Sequence, residues 1–284
     1  MKEKYQISFS GGRTSGYMTK MLIDNFSDQY DFIVTFANTG MEHNKTLEFV
    51  HSCDVHFGFR TVWLETVVHA GRTACTHKVV DFDSASRRGE PYQAVIEKYG
   101  VPNVSFPYCT REMKLNPMRS YLKALGINHK DLKTAVGIRA DEKRRVSKTA
   151  TEFNIVYPLI DIWPTDKQDV LDWWSEQDFD LGIDEFEGNC LGCFKKSLRK
   201  HFLQMERDPS CYEFYGRMED RFKSVGPQVG DRVFFRGNTS KQMLFWMHEE
   251  FVKAGSQHAP QLDIYADGGC SESCEIFETA TPTT

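Results

Sequence analysis

The segment YQISFSGGRTSGYM, near the start of the chain, constrains the fold more strongly than any other stretch. Tyr5, Ile7 and Phe9 alternate with the two-residue period of a strand. Met18 and Leu22, which lie beyond two adjacent glycines, recur at the spacing of a helix. The segment therefore predicts a strand, a tight turn that needs glycine, and a helix.

Later segments continue this alternation of strand and helix. DFIVTFANTG, FRTVWLET and LKTAVGIR are apolar runs typical of buried strands, and stretches with helical character separate them. This order predicts an α/β fold with a parallel, Rossmann-like sheet, in which ligands bind beyond the carboxyl ends of the strands. Thr165 and Gln168 have the spacing of a capping box and predict the start of the helix DKQDVLDWW.

Two regions follow from the pattern. Residues 1–180 are predicted to form the α/β domain, within which residues 67–117 make an excursion over the face where ligands bind. Residues 181–284 are predicted to form a helical region that carries cysteines and packs on the first domain.

The composition is that of an ordinary globular protein, with 40% hydrophobic residues and a net charge of -5. This charge argues against a protein that coats nucleic acid, but it leaves a local contact with RNA or DNA open. No apolar run approaches the roughly 20 residues that span a bilayer, and the opening residues MKEKYQISFS lack the apolar core of a secretory signal. We therefore expect a cytoplasmic protein with no membrane association. The sequence is compatible with an oligomer.

The glycine turn has the chemistry of a phosphate site. Gly11 and Gly12 let backbone N–H groups approach an anion, and the following helix adds partial positive charge at its N-terminus. Ser10, Thr14 and Ser15 supply hydroxyl donors. Because no lysine follows the second glycine and the G-x-G-x-x-G pattern is absent from the sequence, the turn is neither of those two phosphate loops. The alternative is a tight turn without a ligand.

The segment SGGRTS resembles the S-G-G-x-x-S pyrophosphate loop of the adenine nucleotide alpha-hydrolase superfamily, the PP-loop ATP pyrophosphatases with a HUP-type fold. Three further segments resemble motifs of its phosphoadenosine phosphosulfate (PAPS) reductase branch, in the order expected there. They are NTGMEHNKTLEF, VGIRADEKRR and YPLIDIWPTDKQDVLDWW. Together the four motifs cover roughly residues 5–175.

The resemblance implies a role for each matched residue. Those expected to hold phosphates are Ser8, Ser10, Gly11, Gly12, Thr14 and Ser15. Those expected to border the adenosine are Asn38, Thr39 and Gly40, while Gly137 would allow close backbone approach. Those expected to bind a phosphate or sulfate during catalysis are Arg139, Arg144 and Arg145. Those expected to hold magnesium through water are Glu42, Asp141 and Glu142. The alternative for the charged residues is an ordinary salt bridge in a solvated loop.

Three cysteines form a second candidate site. Cys190 and Cys193 lie one turn apart in GNCLGCFKKS, and Cys109 precedes an arginine and a helix in PYCTREMK. Thiolates in this number can hold three irons of a [4Fe–4S] cluster, and similar patterns occur in PAPS-reductase-like sulfur-handling enzymes and in some tRNA thiolases. Zinc and unligated thiols are the competing interpretations.

Cys270 and Cys274 occupy the region where sulfonucleotide reductases carry their nucleophilic cysteine, but the tail motif of those enzymes, E-C-G-x-H, does not occur in this sequence. Either cysteine is a candidate nucleophile, fourth cluster ligand or persulfide carrier. The alternative is a tail with no chemical role.

Three functions are compatible with these residues. The favoured one is an enzyme that cleaves ATP between the alpha and beta phosphates and adenylates an acceptor, which is tRNA, DNA or a small molecule, so that sulfur replaces oxygen. The second is a reductase of PAPS or adenylyl sulfate (APS) that uses a thiolate and a thioredoxin-like partner. The third is a nucleotide-sensing or partner-binding module without turnover.

Overall fold

A computed structural model describes residues 2–226 and 230–254 of the chain. Its centre is a six-stranded sheet with the strand order β4-β3-β2-β1-β5-β6. The strands are β1 (Glu3–Ser8), β2 (Tyr30–Ala37), β3 (Val62–Val67), β4 (Thr76–Val80), β5 (Lys133–Val136) and β6 (Ile155–Val156). The predicted α/β fold with a Rossmann-like sheet is therefore confirmed.

Helices connect and cover the strands. They are α1 (Arg13–Phe26), α2 (Asn44–Phe57), α3 (Glu90–Tyr99), α4 (Tyr108–Thr110), α5 (Asn116–Ala124), α6 (Pro158–Asp161), α7 (Lys167–Ser175), α8 (Leu198–Arg207), α9 (Glu213–Phe222) and α10 (Lys241–Ala254). A π-helical turn, Arg111–Leu115, joins α4 to α5. Short 3-10 turns occur at His129–Asp131, Ala140–Arg145, Glu185–Glu187 and Pro209–Tyr212. No helix in the described part of the chain is long and apolar enough to cross a membrane.

The sheet is parallel except at one edge. β1, β2, β3, β5 and β6 run in the same direction, so the carboxyl ends of the four longer strands lie at one edge of the sheet. β4 pairs with β3 in the antiparallel sense, with Val67 opposite Thr76. The connection between these two residues is too short for the crossover helix that a parallel neighbour needs. This strand was missed because its side chains are largely exposed and carry no strong apolar period.

Two large apolar clusters hold the structure together. The first packs β1 and β2 against α1, α2 and α7, with Ile7, Phe49 and Trp174 fully buried. The second joins α3, from the excursion, to the C-terminal helices through residues such as Tyr92 and Tyr215. The C-terminal region therefore packs on the excursion rather than standing apart from it.

The predicted capping box at Thr165 and Gln168 is wrong by one residue. Asp166 is the N-cap of α7, and its side chain and that of Asp169 form the reciprocal hydrogen bonds of the box. The Thr165 hydroxyl instead donates to the carbonyl of Trp163 at 2.5 Å, which leaves the capping role to the aspartate that follows it.

Candidate functional site

The glycine turn between β1 and α1 is held in a single conformation by its own hydroxyl groups. The backbone N–H of Ser10 donates to Ser15 Oγ at 3.2 Å, and the two serine hydroxyls lie 2.8 Å apart. Ser15 Oγ also donates to the carbonyl of Gly12 at 3.0 Å. Ser8, which ends β1, is buried beside this turn. The predicted phosphate-binding residues therefore form one compact, preformed loop.

Gly11 is required by this conformation. Its φ of +79° lies in the left-handed region, and a Cβ placed there would come within 2.7 Å of Thr46 Cγ2 and 3.1 Å of Phe36 Cε2. The loop is thus pressed against α2 and β2, and a side chain at this position has no room.

The first turn of α1 presents its backbone N–H groups to the carboxyl edge of the sheet. Gly12 is the N-cap with an extended backbone, and within the described residues no side chain caps the helix and no acidic residue lies in its first turn. Arg13 does not point toward the loop's ligand side, because its guanidinium pairs with Asp180 at 2.6 and 2.7 Å. Trp174 Nε1 donates to the Arg13 carbonyl at 2.9 Å. The helix terminus is anchored from behind and suited to an anion in front.

Arg139 brings a buried positive charge to the loop. Its Nη1 donates to Thr14 Oγ1 at 3.1 Å, while Nε and Nη2 donate to the two oxygens of Asp141 at 2.9 and 3.1 Å. Arg145 donates to Glu142 at 2.6 Å. Each predicted magnesium carboxylate of this segment is therefore paired with an arginine, and the assignment to magnesium stays a prediction.

Gly137 lies where β5 passes closest to α1. A Cβ at this glycine would come within 3.0 Å of Ser15 Cα, so the small residue allows the strand and the phosphate loop to touch. Arg144, which lies beyond the buried Arg139, is exposed. The backbone thus brings Thr14 and Arg139 together, whereas Arg144 faces outward.

The end of β2 is organised by the predicted site residue Asn38 together with Glu65 and Ser86, which the sequence analysis missed. The Asn38 side-chain amide donates to Glu65 at 2.7 Å and to the Ser86 carbonyl at 2.8 Å, and its oxygen accepts from the N–H of Gly40 at 3.1 Å. Glu65 is fully buried and also accepts from Ser86 N–H and Lys78. A glutamate inside the apolar strand VWLETV was the available signal. Asn38 therefore acts here as a junction between β2, β3 and the following loop.

Glu42 connects this strand end to the cysteines. Its buried carboxylate accepts from Thr39 N–H at 3.0 Å, Thr39 Oγ1 at 2.7 Å and Met41 N–H at 3.2 Å. The backbones of Glu42 and Cys190 form an isolated antiparallel bridge, and Cys190 Sγ lies 3.3 Å from Thr39 Oγ1. The carboxylate is committed to its own loop and to a thiol.

The three predicted cluster cysteines meet at one small cavity of about 20 Å³, which has room for about one water molecule. Its walls include Cys109, Cys190, Cys193, Thr39, Tyr92, Thr110, Met113, Lys114, Asn189, Phe194 and Lys195. The end of the excursion, β5 and α7 all lie between Cys109 and the other two cysteines in the sequence, so the fold alone brings the three together.

The cavity carries one sign of a functional site. Thr110 Oγ1 is buried in its wall without a hydrogen-bond partner among the described residues. Asn189, immediately before Cys190, has a φ of +62°, in the left-handed region that asparagine adopts more readily than most residues with a side chain, and it turns the chain into the Cys190 loop. Burial raises the pKa of Cys190 well above its ordinary value, Glu42 adds to the rise, and Lys114 opposes it. A thiolate there needs a cation or a metal.

Both metal interpretations of the cysteine cavity stay predictions. In residues 2–226 and 230–254, no three His, Cys, Asp or Glu side chains lie close enough together to hold one metal ion as they stand. A [4Fe–4S] cluster binds each cysteine through a different iron, so its ligands surround a cavity instead. The donor set and the unpartnered Thr110 hydroxyl fit that pattern, and a group of this size requires the partly exposed Cys109 and Cys193 to move outward.

Lys196 is a second residue that the sequence analysis missed in this role. It is buried, and its Nζ donates to the carbonyls of Phe186 at 2.6 Å and Leu191 at 2.8 Å. Burial lowers its pKa to about 8. The lysine therefore ties together the loop that carries Cys190. Cys270 and Cys274 lie outside the described residues.

Comparison with known proteins places most of this geometry in one matched range. The sequence model of the phosphoadenosine phosphosulfate reductase domain matches residues 4–176. The range includes the phosphate loop and the Arg139 segment, and it ends before the cysteine pair at 190 and 193.

The individual relatives and solved structures described next are all less than 30% identical to this chain. The uncharacterized nin region protein ORF290 of Escherichia phage lambda is 29% identical over 280 residues, which cover 95% of this chain and 94% of that protein. The uncharacterized protein MJ0973 of Methanocaldococcus jannaschii is 27% identical over 241 residues, which cover 78% of this chain and 47% of that protein. A phosphoadenylyl-sulfate (PAPS) reductase from Candida auris in a phosphate complex has a TM-score of 0.38 and 14% identity, with 62% of this chain and 73% of that chain covered. The U34-tRNA thiolase NcsA from Methanococcus maripaludis with its [4Fe-4S] cluster has the same TM-score and identity, with 97% and 80% covered.

Proposed function

Because the chain belongs to the phosphoadenosine phosphosulfate reductase domain family, we propose that it is an enzyme that binds an adenine nucleotide at the Ser8–Ser15 loop. The family predicted from four motifs is confirmed. With ATP as the nucleotide, an acceptor oxygen attacks the alpha phosphorus and pyrophosphate leaves. Sulfide then attacks the adenylated carbon of the acceptor, and AMP leaves with the acceptor's former oxygen, so that a thio group stands in its place.

The observation that carries this proposal is the uncapped N-terminus of α1 beside Arg139. Backbone N–H groups, serine hydroxyls and a guanidinium converge on the carboxyl edge of the sheet, where a nucleotide binds in this class of fold. These groups stabilise the charge that develops on leaving pyrophosphate, and magnesium held by phosphate oxygens would share that work. Asp141 orients Arg139 through two hydrogen bonds, so the positive charge is in place before the nucleotide arrives.

The cysteine cavity supplies the sulfur side of the proposal. Cys109, Cys190 and Cys193 would hold a [4Fe–4S] cluster. Since these three thiolates would bind three of the four irons, the fourth iron would offer a place for sulfide to bind. The chain's own part is to place the three thiols around one cavity and to keep Lys114 close enough to favour negative charge at Cys190. Thr39 Oγ1 and Thr110 Oγ1 offer hydroxyl groups at the same wall.

The nucleotide site is tested by comparing matched double variants. Ser10→Ala with Gly12→Ala removes a loop hydroxyl and adds a methyl group at the N-cap of α1, whereas Ser84→Ala with Gly71→Ala makes the same exchanges at exposed positions. Calorimetric titration with ATP and PAPS should show affinity lowered by about 100-fold in the first variant, because hydrogen bonds to a charged group contribute roughly 1.5–3 kcal/mol each. Unchanged affinities in that folded variant would refute the phosphate-loop assignment.

Turnover distinguishes the reaction. Release of AMP and pyrophosphate from ATP, dependent on an acceptor, supports adenylation. The family match favours one second candidate, reduction of PAPS or APS by a thiolate. If sulfite release depends on reduced thioredoxin and is lost in Cys270→Ala or Cys274→Ala, the reaction is this reduction and not adenylation.

The cluster is tested by metal analysis after anaerobic purification. We expect about four irons per chain with broad visible absorption, lost in Cys109→Ser and in Cys193→Ser and retained in the control Cys53→Ala, whose thiol is buried in α2. A colourless wild-type protein, or one that contains zinc alone, would contradict the cluster and leave the nucleotide site untouched.

A further inference from the structure

A second cavity, separate from the cysteine cavity, runs along the outer edge of the sheet. It is a groove of about 590 Å³ between the start of β4, one side of α5 and the loop before β5. Thr76 lies at one end, where β4 faces the carboxyl end of β3, and His129 lies at the other. The groove therefore begins at the edge of the sheet that carries the candidate site.

The groove is lined by one sign of charge. Arg72, Arg119 and Lys123 line it, and among the described residues no aspartate or glutamate does so. The groove near α8 differs, because three carboxylates line it beside its cations. Against a net charge of -5 for the whole chain, this groove is a local concentration of positive charge.

Neighbouring groups decide which side chains carry this positive charge. Arg119 and Lys130 both lie over the Phe153 ring, each 5.6 Å from its centroid. Burial lowers the pKa of His129, and the charges of Arg119 and Lys130 lower it further, whereas Asp131 opposes them. His129 thus presents a neutral imidazole at neutral pH, and the arginines and lysines carry the charge.

The remaining acidic neighbour, Glu112, is not available to oppose an anion. It is buried, and its carboxylate accepts from Arg111 Nε at 2.7 Å, Asn116 Nδ2 at 2.8 Å and the Cys75 N–H at 3.1 Å. These bonds hold the floor of the groove, since Cys75 and Asn116 both line it.

The cations are spread along the groove and do not converge on one point. Arg119 and Lys123 lie one turn apart on α5, about 6 Å along its axis, and Arg72 lies across from them beside β4. A single small anion needs only one such centre, whereas a chain of phosphates matches a row of them. Ser120 and Asn128 add neutral hydrogen-bonding groups between the charges.

The groove and the cysteine cavity share a wall. The π-helical turn Arg111–Leu115 places Met113 and Lys114 in the cysteine cavity, and two residues further on Asn116 lines the groove. A π-turn inside a helix is frequently found at a functional site, because it re-aims the side chains that follow it. The π-helical turn and the residue that follows it therefore connect the cysteine cavity to the groove.

We propose that this groove binds the phosphodiester backbone of a single-stranded nucleic acid, which is the acceptor of the sulfur chemistry. That the nucleic acid is the acceptor rests on the proposed function, whereas its binding depends only on the groove. Phosphate contacts of this kind position a strand without reading its bases, so the base to be modified is chosen elsewhere in the site.

The test is the binding of fluorescein-labelled RNA, and of DNA with the same base sequence, followed by anisotropy at increasing salt. Arg72→Gln with Lys123→Gln should weaken binding about tenfold and reduce the slope of log K against log salt by about 0.7 per cation removed. Arg217→Gln with Arg221→Gln, which removes two exposed charges of α9, should bind as the wild type does. Stronger binding of one nucleic acid identifies the acceptor as RNA or DNA.

Two results would overturn the proposal. One is the absence of binding by either oligonucleotide to the wild type at low salt, and the other is an equal loss in the groove variant and in the α9 control. ATP affinity separates this proposal from the nucleotide site. It should stay at the wild-type value in the groove variant. Only unchanged ATP affinity in the variant Ser10→Ala with Gly12→Ala would count against the nucleotide site.

Discussion

Replacing Gly11 by alanine tests the packing of the phosphate loop against α2. The φ of +79° disfavours an L-residue by about 1–2 kcal/mol. The new Cβ would also lie 2.7 Å from Thr46 Cγ2, and overpacking of this kind costs typically 1–3 kcal/mol. A smaller gain of roughly 0.4–1 kcal/mol from the stiffer unfolded chain opposes both. We expect Gly11→Ala to lower the free energy of unfolding by about 2–4 kcal/mol in urea denaturation.

Gly58 provides the matched control. It ends α2 with a φ of +67°, but a Cβ there meets nothing within 4 Å. Gly58→Ala should therefore lose only about 1 kcal/mol, since it carries the backbone strain without the steric contact. Adding Thr46→Ser, which removes Cγ2, should recover much of the extra loss in Gly11→Ala. Equal losses at the two glycines, or no recovery with the serine, would refute the contact between loop and helix.

Two further perturbations address the loop anchor and the C-terminal core. Asp180→Asn removes the carboxylate that holds Arg13, and a partly exposed ion pair of this kind contributes about 1 kcal/mol. This variant should therefore bind ATP about fivefold more weakly in calorimetric titration. Asp178→Asn, which changes an exposed neighbour, should leave the affinity unchanged. Burial lowers the pKa of His201 to about 3, so between about pH 6.5 and pH 3 the unfolded chain binds a proton that the folded chain does not. The free energy of unfolding should therefore fall by about 2 kcal/mol for this group between pH 7 and pH 5, and urea denaturation of His201→Gln, compared with the wild type, should show this part of the pH dependence removed.

The sheet could be predicted from sequence because its central strands are buried and carry strong apolar signals. The turn between β1 and α1 could be predicted because two glycines between a strand and a helix admit few conformations. β4 escaped prediction, since an exposed edge strand needs little apolar character. The capping box was placed one residue early because Thr165 and Asp166 are both good N-caps, and only the backbone decides between them.

The contacts that organise the site depend on partners far apart in the chain. Glu65 was visible as a lone carboxylate in an apolar strand, but nothing in the sequence shows that Asn38 and Ser86 meet it. The contact between Thr39 and Cys190 spans 151 residues. Spacing motifs describe neighbours in sequence, whereas these contacts follow from how the C-terminal region packs on the excursion.

Thr39 belongs to both halves of the site. Its backbone N–H and hydroxyl bind Glu42 at the end of β2, and the same hydroxyl lies 3.3 Å from Cys190 in the cysteine cavity. Under the proposed function, the predicted nucleotide side and the predicted thiol side therefore share one hydrogen-bonded unit. The proposed reaction needs an adenylated group and a sulfur nucleophile to meet at bonding distance, and a shared, buried unit would help to position them. For the same reason a substitution at Glu42 should disturb both halves at once, whereas one at Arg139 should affect the nucleotide side alone.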